Sequence, residues 1–190
     1  MNEATAIENA TEIISLFEKF GNHDYIGENV SQIEHMTQCA LLAESEGFET
    51  DVILGAFLHD IGHLCEHLYQ VERMEHFGVV EHEEIGRKYL QNLGFSEKVT
   101  QLVVSHVNAK RYLTYKYPDY YERLSEASKA TLEYQGGQMS ETEAIEFEND
   151  PHFDLYVAIR RWDDLAKKSD IEVPSLEKYK KMIVSHLVSQ

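Results

Sequence analysis

Cysteine, proline and basic residues are all scarce in this 190-residue chain. Two cysteines, Cys39 and Cys65, are too few for a disulfide framework. Both sit in apolar helical patterns, where a free thiol behaves as a small hydrophobe. Three Pro and ten Gly exclude collagen-like and low-complexity architectures. Lys plus Arg number 17 against 34 Asp plus Glu, a formal net charge of −17. Such an acidic chain is repelled by nucleic-acid phosphates and by anionic membranes, so neither is an expected partner. No apolar run approaches the roughly 20 residues that span a bilayer. The opening MNEATAIENATEIISLF carries acids where a secretion signal carries Lys or Arg, so a cytoplasmic location is expected.

Strand signals are nearly absent too, because no stretch alternates apolar and polar residues between turn pairs. Helix signals fill the chain instead. Ser31, Thr50, Ser96 and Ser175 stand where N-caps belong, and Ser140 with Glu143 has capping-box spacing. Pro118–Asp119 and Asp150–Pro151 mark two further starts. The expected fold is an all-α single domain of about eight or nine helices over residues 1–190. The stretch from about 66 to 78 is ambiguous, and a last helix at about 175–188 is expected to pack on the rest.

The segment Val52–Leu64 reads as one buried helix, apolar all round except for His59, Asp60 and His63. A buried carboxylate must be paired or must bind a metal. No Lys or Arg lies within the segment, which favours a metal. The alternative is an Asp that accepts hydrogen bonds from a neighbouring His or a helix terminus. Other residues strengthen the metal reading. His35, His82, His106 and Asp163 each lie on the apolar face of a separate helix, and helical bundles build metal sites from facing helices in this way. Together with His59 and Asp60 they make six N/O donors, enough for two metals sharing one carboxylate. Of the ten His, His23, His67, His76, His152 and His186 lack this context and read as surface or structural.

His63 is four residues after His59, Lys110 four after His106, and Arg160 three before Asp163. These spacings put a proton donor or cation on the same face as each ligand. Together they suggest an anionic substrate, a phosphate or phosphonate.

His35, the His59–Asp60 doublet and Asp163 resemble the HD-domain superfamily, mostly metal-dependent phosphohydrolases. His82 and His106 resemble its binuclear branch. Five segments, at 24–28, 58–63, 106–112, 131–137 and 160–163, resemble the mixed-valent diiron oxygenases of that branch, the family of 2-amino-1-hydroxyethylphosphonate dioxygenase (glycine-forming) and myo-inositol oxygenase. They span about 24–165 in matching order. The resemblance implies two irons, Fe(II)/Fe(III), with O2 as co-substrate. Asp60 would bridge them, with His35, His59 and Asp163 on the first and His82 and His106 on the second. Lys110, Arg160, Ser128, Gln135 and His63 would hold an organophosphonate, and Tyr25 and Glu28 would gate the site until a substrate amine arrives. The implied reaction converts a 1-hydroxy-2-aminoethylphosphonate, or its N-methylated analogue, to glycine or glycine betaine and phosphate. The alternatives are a binuclear HD phosphohydrolase and a non-catalytic helical module.

Overall fold

The computed structural model describes all residues except 26, 75–77 and 170. The described residues form eleven α-helices and no strand beyond isolated bridges. They are α1 (Glu3–Phe20), α2 (Gln32–Ser45), α3 (Thr50–Leu58), α4 (Ile61–Leu64), α5 (His82–Asn92), α6 (Glu97–Lys116), α7 (Pro118–Arg123), α8 (Glu126–Tyr134), α9 (Glu141–Glu148), α10 (Phe153–Leu165) and α11 (Leu176–Ser189). None is long and apolar enough to cross a membrane.

The all-α expectation holds, with two helices more than the sequence suggests. One is α8, which begins at Ser125, whose hydroxyl accepts from the Ser128 N–H. The other arises because Val52–Leu64 is not continuous. α3 ends at Leu58, and Asp60 adopts φ −104°, ψ 13° before α4 resumes the helical course. The apolar residues on either side of His59–Asp60 hide this break, where Asp60 lies in the sparsely occupied bridge region. The caps at Ser31 and Ser140 form full capping boxes with Glu34 and Glu143. Asp150 instead accepts from the His152 N–H, and α10 starts two residues later than the Asp-Pro pair suggests. In the ambiguous stretch, Cys65–His67 makes a short 3-10 turn, and Arg73 pairs with Val79 through an isolated bridge.

α3 is the axis of the fold. Every residue from Val52 to Leu58 is buried, and the helix packs against α2, α6, α10 and α11. Phe57 stacks on Phe17 of α1 at 4.5 Å and on Tyr179 of α11 at 4.1 Å, so one aromatic column ties both chain ends to the axis. Such stacks contribute roughly 0.5–1.5 kcal/mol beyond their buried area. The packing presents the break after α3 to the starts of α2 and α5, the middle of α6 and the last turns of α10. Gly62 makes this close approach possible. A Cβ there would lie 1.8 Å from the His82 carbonyl oxygen.

Candidate metal centre

Asp60 is 2 % exposed, and its two oxygens face different partners. Oδ2 lies 3.5 Å from His35 Nε2 and 3.4 Å from His59 Nε2. Oδ1 lies 3.3 Å from both His82 Nε2 and His106 Nε2. Within each pair the two Nε2 atoms nearly touch, at 3.1 Å for His35–His59 and 3.0 Å for His82–His106. Asp163 Oδ1 closes the first group at 3.4 Å from His35 Nε2. Four helices and the break after α3 thus gather all six expected donors into one buried cluster.

The second nitrogens explain why a cation fits. His35, His59 and His106 donate from Nδ1 to the carbonyls of Ala166, Ala56 and Val103, at 2.9, 2.9 and 2.7 Å. A ring that donates from Nδ1 offers a lone pair at Nε2, the arrangement metal-bound histidines adopt. Two lone pairs 3.1 Å apart repel unless a proton or a metal stands between them. His82 differs: its Nδ1 is buried without a hydrogen bond, 3.4 Å from an equally unpartnered Glu83 Oε2.

Charge distribution agrees. Burial alone would neutralise Asp60, but His59, His106 and His35 override it and hold the carboxyl well below the usual range. Burial disfavours the His35 cation too, yet hydrogen bonds to Asp163 and Asp60 win and raise its pKa to about 9. His82 also rises against burial, through Asp60 and Glu83, whereas burial keeps His106 low. Without metal, the His35–His59 pair therefore holds an extra proton on His35 at neutral pH, and Asp60 and Glu83 pull His82 in the same direction. A metal must displace the His35 proton. Metal loading at pH 7 is expected to release about one proton per chain, with affinity rising as pH climbs toward 9. Calorimetry in Hepes and Tris, which differ in ionisation heat, measures the release. Loading without proton release contradicts this assignment.

Cys39 has the sequence context of a small hydrophobe, yet its thiol lies within 4.8 Å of ligand atoms of His35 and His59. Burial, with Asp163 and Asp60, pushes this thiol well up and keeps it protonated, a poor ligand form.

A cavity of about 50 Å³ opens beside Asp60. Tyr25, Glu28, His63, Lys110, Ser128, Gln135 and Arg160, each expected from the sequence, all line it. Tyr25 lies flat on the His35 ring at 3.9 Å. His63 stacks on His82 at 4.1 Å, and its Nδ1 accepts from the Val79 N–H at 3.3 Å. Burial and the neighbouring His82 keep His63 neutral. The Lys110 ammonium donates to Thr131 Oγ1 at 2.9 Å, and burial with the nearby Arg160 lowers its pKa to about 7. Arg160 is more engaged than its spacing suggests. It donates to Asp163 Oδ2 at 2.6 Å, to Tyr120 at 2.8 Å and to Asp164, and so orients Asp163 as well as lining the cavity.

Sequence reasoning missed Thr131 and Lys167 on the cavity wall. Lys167 carried the available signal, four residues after Asp163, but it lies beyond the end of α10 at Leu165. Of the remaining histidines, His186 is a buried pin between Asp51 and the Ser96 N–H, His67 stacks on Phe20, and His23 is exposed. His152 is half-buried. His76 lies outside the described residues.

A family profile described as the HD domain matches residues 32–145. The chain is 45 % identical to an uncharacterized protein of Acanthamoeba polyphaga mimivirus, over 98 % of this chain and 85 % of that one. It is 39 % identical to the [1-hydroxy-2-(trimethylamino)ethyl]phosphonate dioxygenase (glycine-betaine-forming) of Leisingera caerulea, over 92 % and 89 % of the two chains. It is also 39 % identical to the hydroxymethylphosphonate dioxygenase of Gimesia maris, over 88 % and 84 %.

Proposed function

Because the chain belongs to the HD domain family, and is an oxidoreductase of the kind its two dioxygenase relatives represent, we propose that it cleaves the C–P bond of a small 1-hydroxyphosphonate with O2 at a pair of iron ions. The observation that carries this reading is the split carboxylate of Asp60, one oxygen to each imidazole pair. His35, His59, Asp60 and Asp163 would hold the first iron, and Asp60, His82 and His106 the second. The irons, mixed-valent in the active form, supply the redox chemistry that no side chain here can supply.

The chain's own groups bind and orient the substrate. His63 accepts at Nδ1, so its proton sits on Nε2 and can be donated to a phosphonate oxygen. Lys110 and Arg160 supply positive charge and Ser128 a hydroxyl for the phosphonate, and Gln135 Oε1, a buried acceptor without a partner, can accept from the substrate hydroxyl. Tyr25 and Glu28 would gate the cavity and keep water from the metals.

Lys110 sets a pH dependence. Its depressed pKa means the charged form prevails below about pH 7 and is lost above it. Phosphonate kcat/KM is expected to fall above that pH in the wild type and to stay level in Lys110→Arg, because guanidinium remains protonated. Lys110→Ala should retain metal and lose about 10- to 100-fold in kcat/KM, the range for a lost charge-assisted hydrogen bond. An unchanged profile in Lys110→Arg contradicts this role.

The direct test is aerobic assay of iron-loaded protein with 1-hydroxyphosphonates. One O2 should be consumed per phosphate released, with a carboxylate as the other product. The phosphohydrolase alternative predicts phosphate release from an ester without O2 and with redox-inert metals. No turnover of any 1-hydroxyphosphonate overturns the proposal.

A further inference from the structure

Among the described residues lining the cavity, Glu28 is the one carboxylate outside the expected metal ligands, and it already has a cation. Lys167 donates to Glu28 Oε1 at 2.6 Å and to Ser125 Oγ at 3.2 Å. Both side chains of the pair line the cavity, and they are only 19 % and 15 % exposed. The arrangement is built from three parts of the chain. Glu28 sits in a tight turn, its N–H bonded to the Tyr25 carbonyl at 2.9 Å, after Gly27 at φ 71°. Gly27 lets that turn press on α8, since a Cβ there would lie 2.9 Å from the Ala127 Cβ. Ser125 caps the same helix, and Lys167 reaches it from the end of α10.

We propose that Lys167 takes the place of a substrate ammonium, so that this chain's substrate is a small 1-hydroxyphosphonate with no cation on its tail. This rests on the oxygenase reading given above. An ammonium-bearing substrate would have to displace Lys167 from Glu28 and then sit beside a like charge in a sheltered site, where charges interact more strongly than in water. Recognition of a quaternary ammonium usually relies on open aromatic faces. Among the described lining residues Tyr25 is the one phenol or benzyl ring, and one of its faces is spent on His35.

The test uses the iron-loaded full chain with hydroxymethylphosphonate, 2-amino-1-hydroxyethylphosphonate and its trimethylammonium analogue. Oxygen uptake and phosphate release give kcat/KM, and anaerobic calorimetry gives affinity. The wild type should favour hydroxymethylphosphonate over both ammonium substrates by about tenfold or more. Lys167→Met, which keeps the length of the side chain and frees Glu28, should shift the ratio toward the ammonium substrates by about tenfold in both readouts. Lys167→Met with Glu28→Gln should undo that shift. A wild type that prefers an ammonium substrate, or a Lys167→Met ratio equal to the wild type's, overturns the proposal while leaving the oxygenase reading intact. Absence of turnover with all three overturns both.

Discussion

Asp60→Ala should lose both metals at once. One carboxylate oxygen faces each imidazole pair, so its removal takes a ligand from both groups. It also leaves four imidazoles around a void whose negative charge is gone. Breaking a buried charged network by removing one partner costs about 3–5 kcal/mol. Some of the loss could then reflect a weakened fold, and Asp60→Asn separates the effects. The amide keeps the volume and removes the charge, so the helical content measured by circular dichroism should survive while metal content by elemental analysis falls below about one-tenth, as tight binding requires the anion. Retention of even one full equivalent in Asp60→Asn contradicts the shared-carboxylate assignment.

Gly62→Ala should do comparable damage without touching a single donor atom. Its new methyl would lie 1.8 Å from the His82 carbonyl oxygen, 2.7 Å from that carbonyl carbon and 3.0 Å from the Gly86 nitrogen. All three are backbone atoms, so no rotamer relieves the clash and α5 must retreat. His82 leads that helix, so it retreats from Asp60 and His106 as well. The expected cost is about 3 kcal/mol, the upper end for overpacking, with the His82–His106 metal lost preferentially. Gly55→Ala is the milder comparison. There the methyl would meet Leu102 alone, Cβ at 2.8 Å and Cδ1 at 2.9 Å; the Cδ1 can rotate away, and the Cβ needs only a small shift of α6. It should cost less than Gly62→Ala. Equal metal content in Gly62→Ala and wild type contradicts this account of how α5 is placed.

The gathering of donors around Asp60 was legible in the sequence because it resolves a physical contradiction there. A carboxylate inside an apolar run has few stable solutions, and imidazoles on the apolar faces of other helices supply one. The all-α architecture was legible for a similar reason, since caps and apolar spacing agree along most of the chain. The helix break at His59–Asp60 was not, because residues apolar on every side carry no phase by which to detect an interruption. Both its spacing and the family resemblance point to Arg160 as a substrate cation. Spacing says which face a side chain occupies, not how many partners compete for it, and Asp164 and Tyr120 lie on the competing side. Lys167 has helical spacing from Asp163, but that spacing ceases to constrain a residue beyond the helix end. Its pairing with Glu28 joins positions 139 residues apart, which only the assembled fold could reveal.

The measurement that bears most directly on the central claim is the iron content and magnetic state of the iron-loaded protein. Elemental analysis with Mössbauer and electron paramagnetic resonance spectroscopy should find two irons per chain, coupled through a common bridge, with a signal that changes when a 1-hydroxyphosphonate is added. A single iron, or two that do not sense each other, would mean that Asp60 does not join two metals.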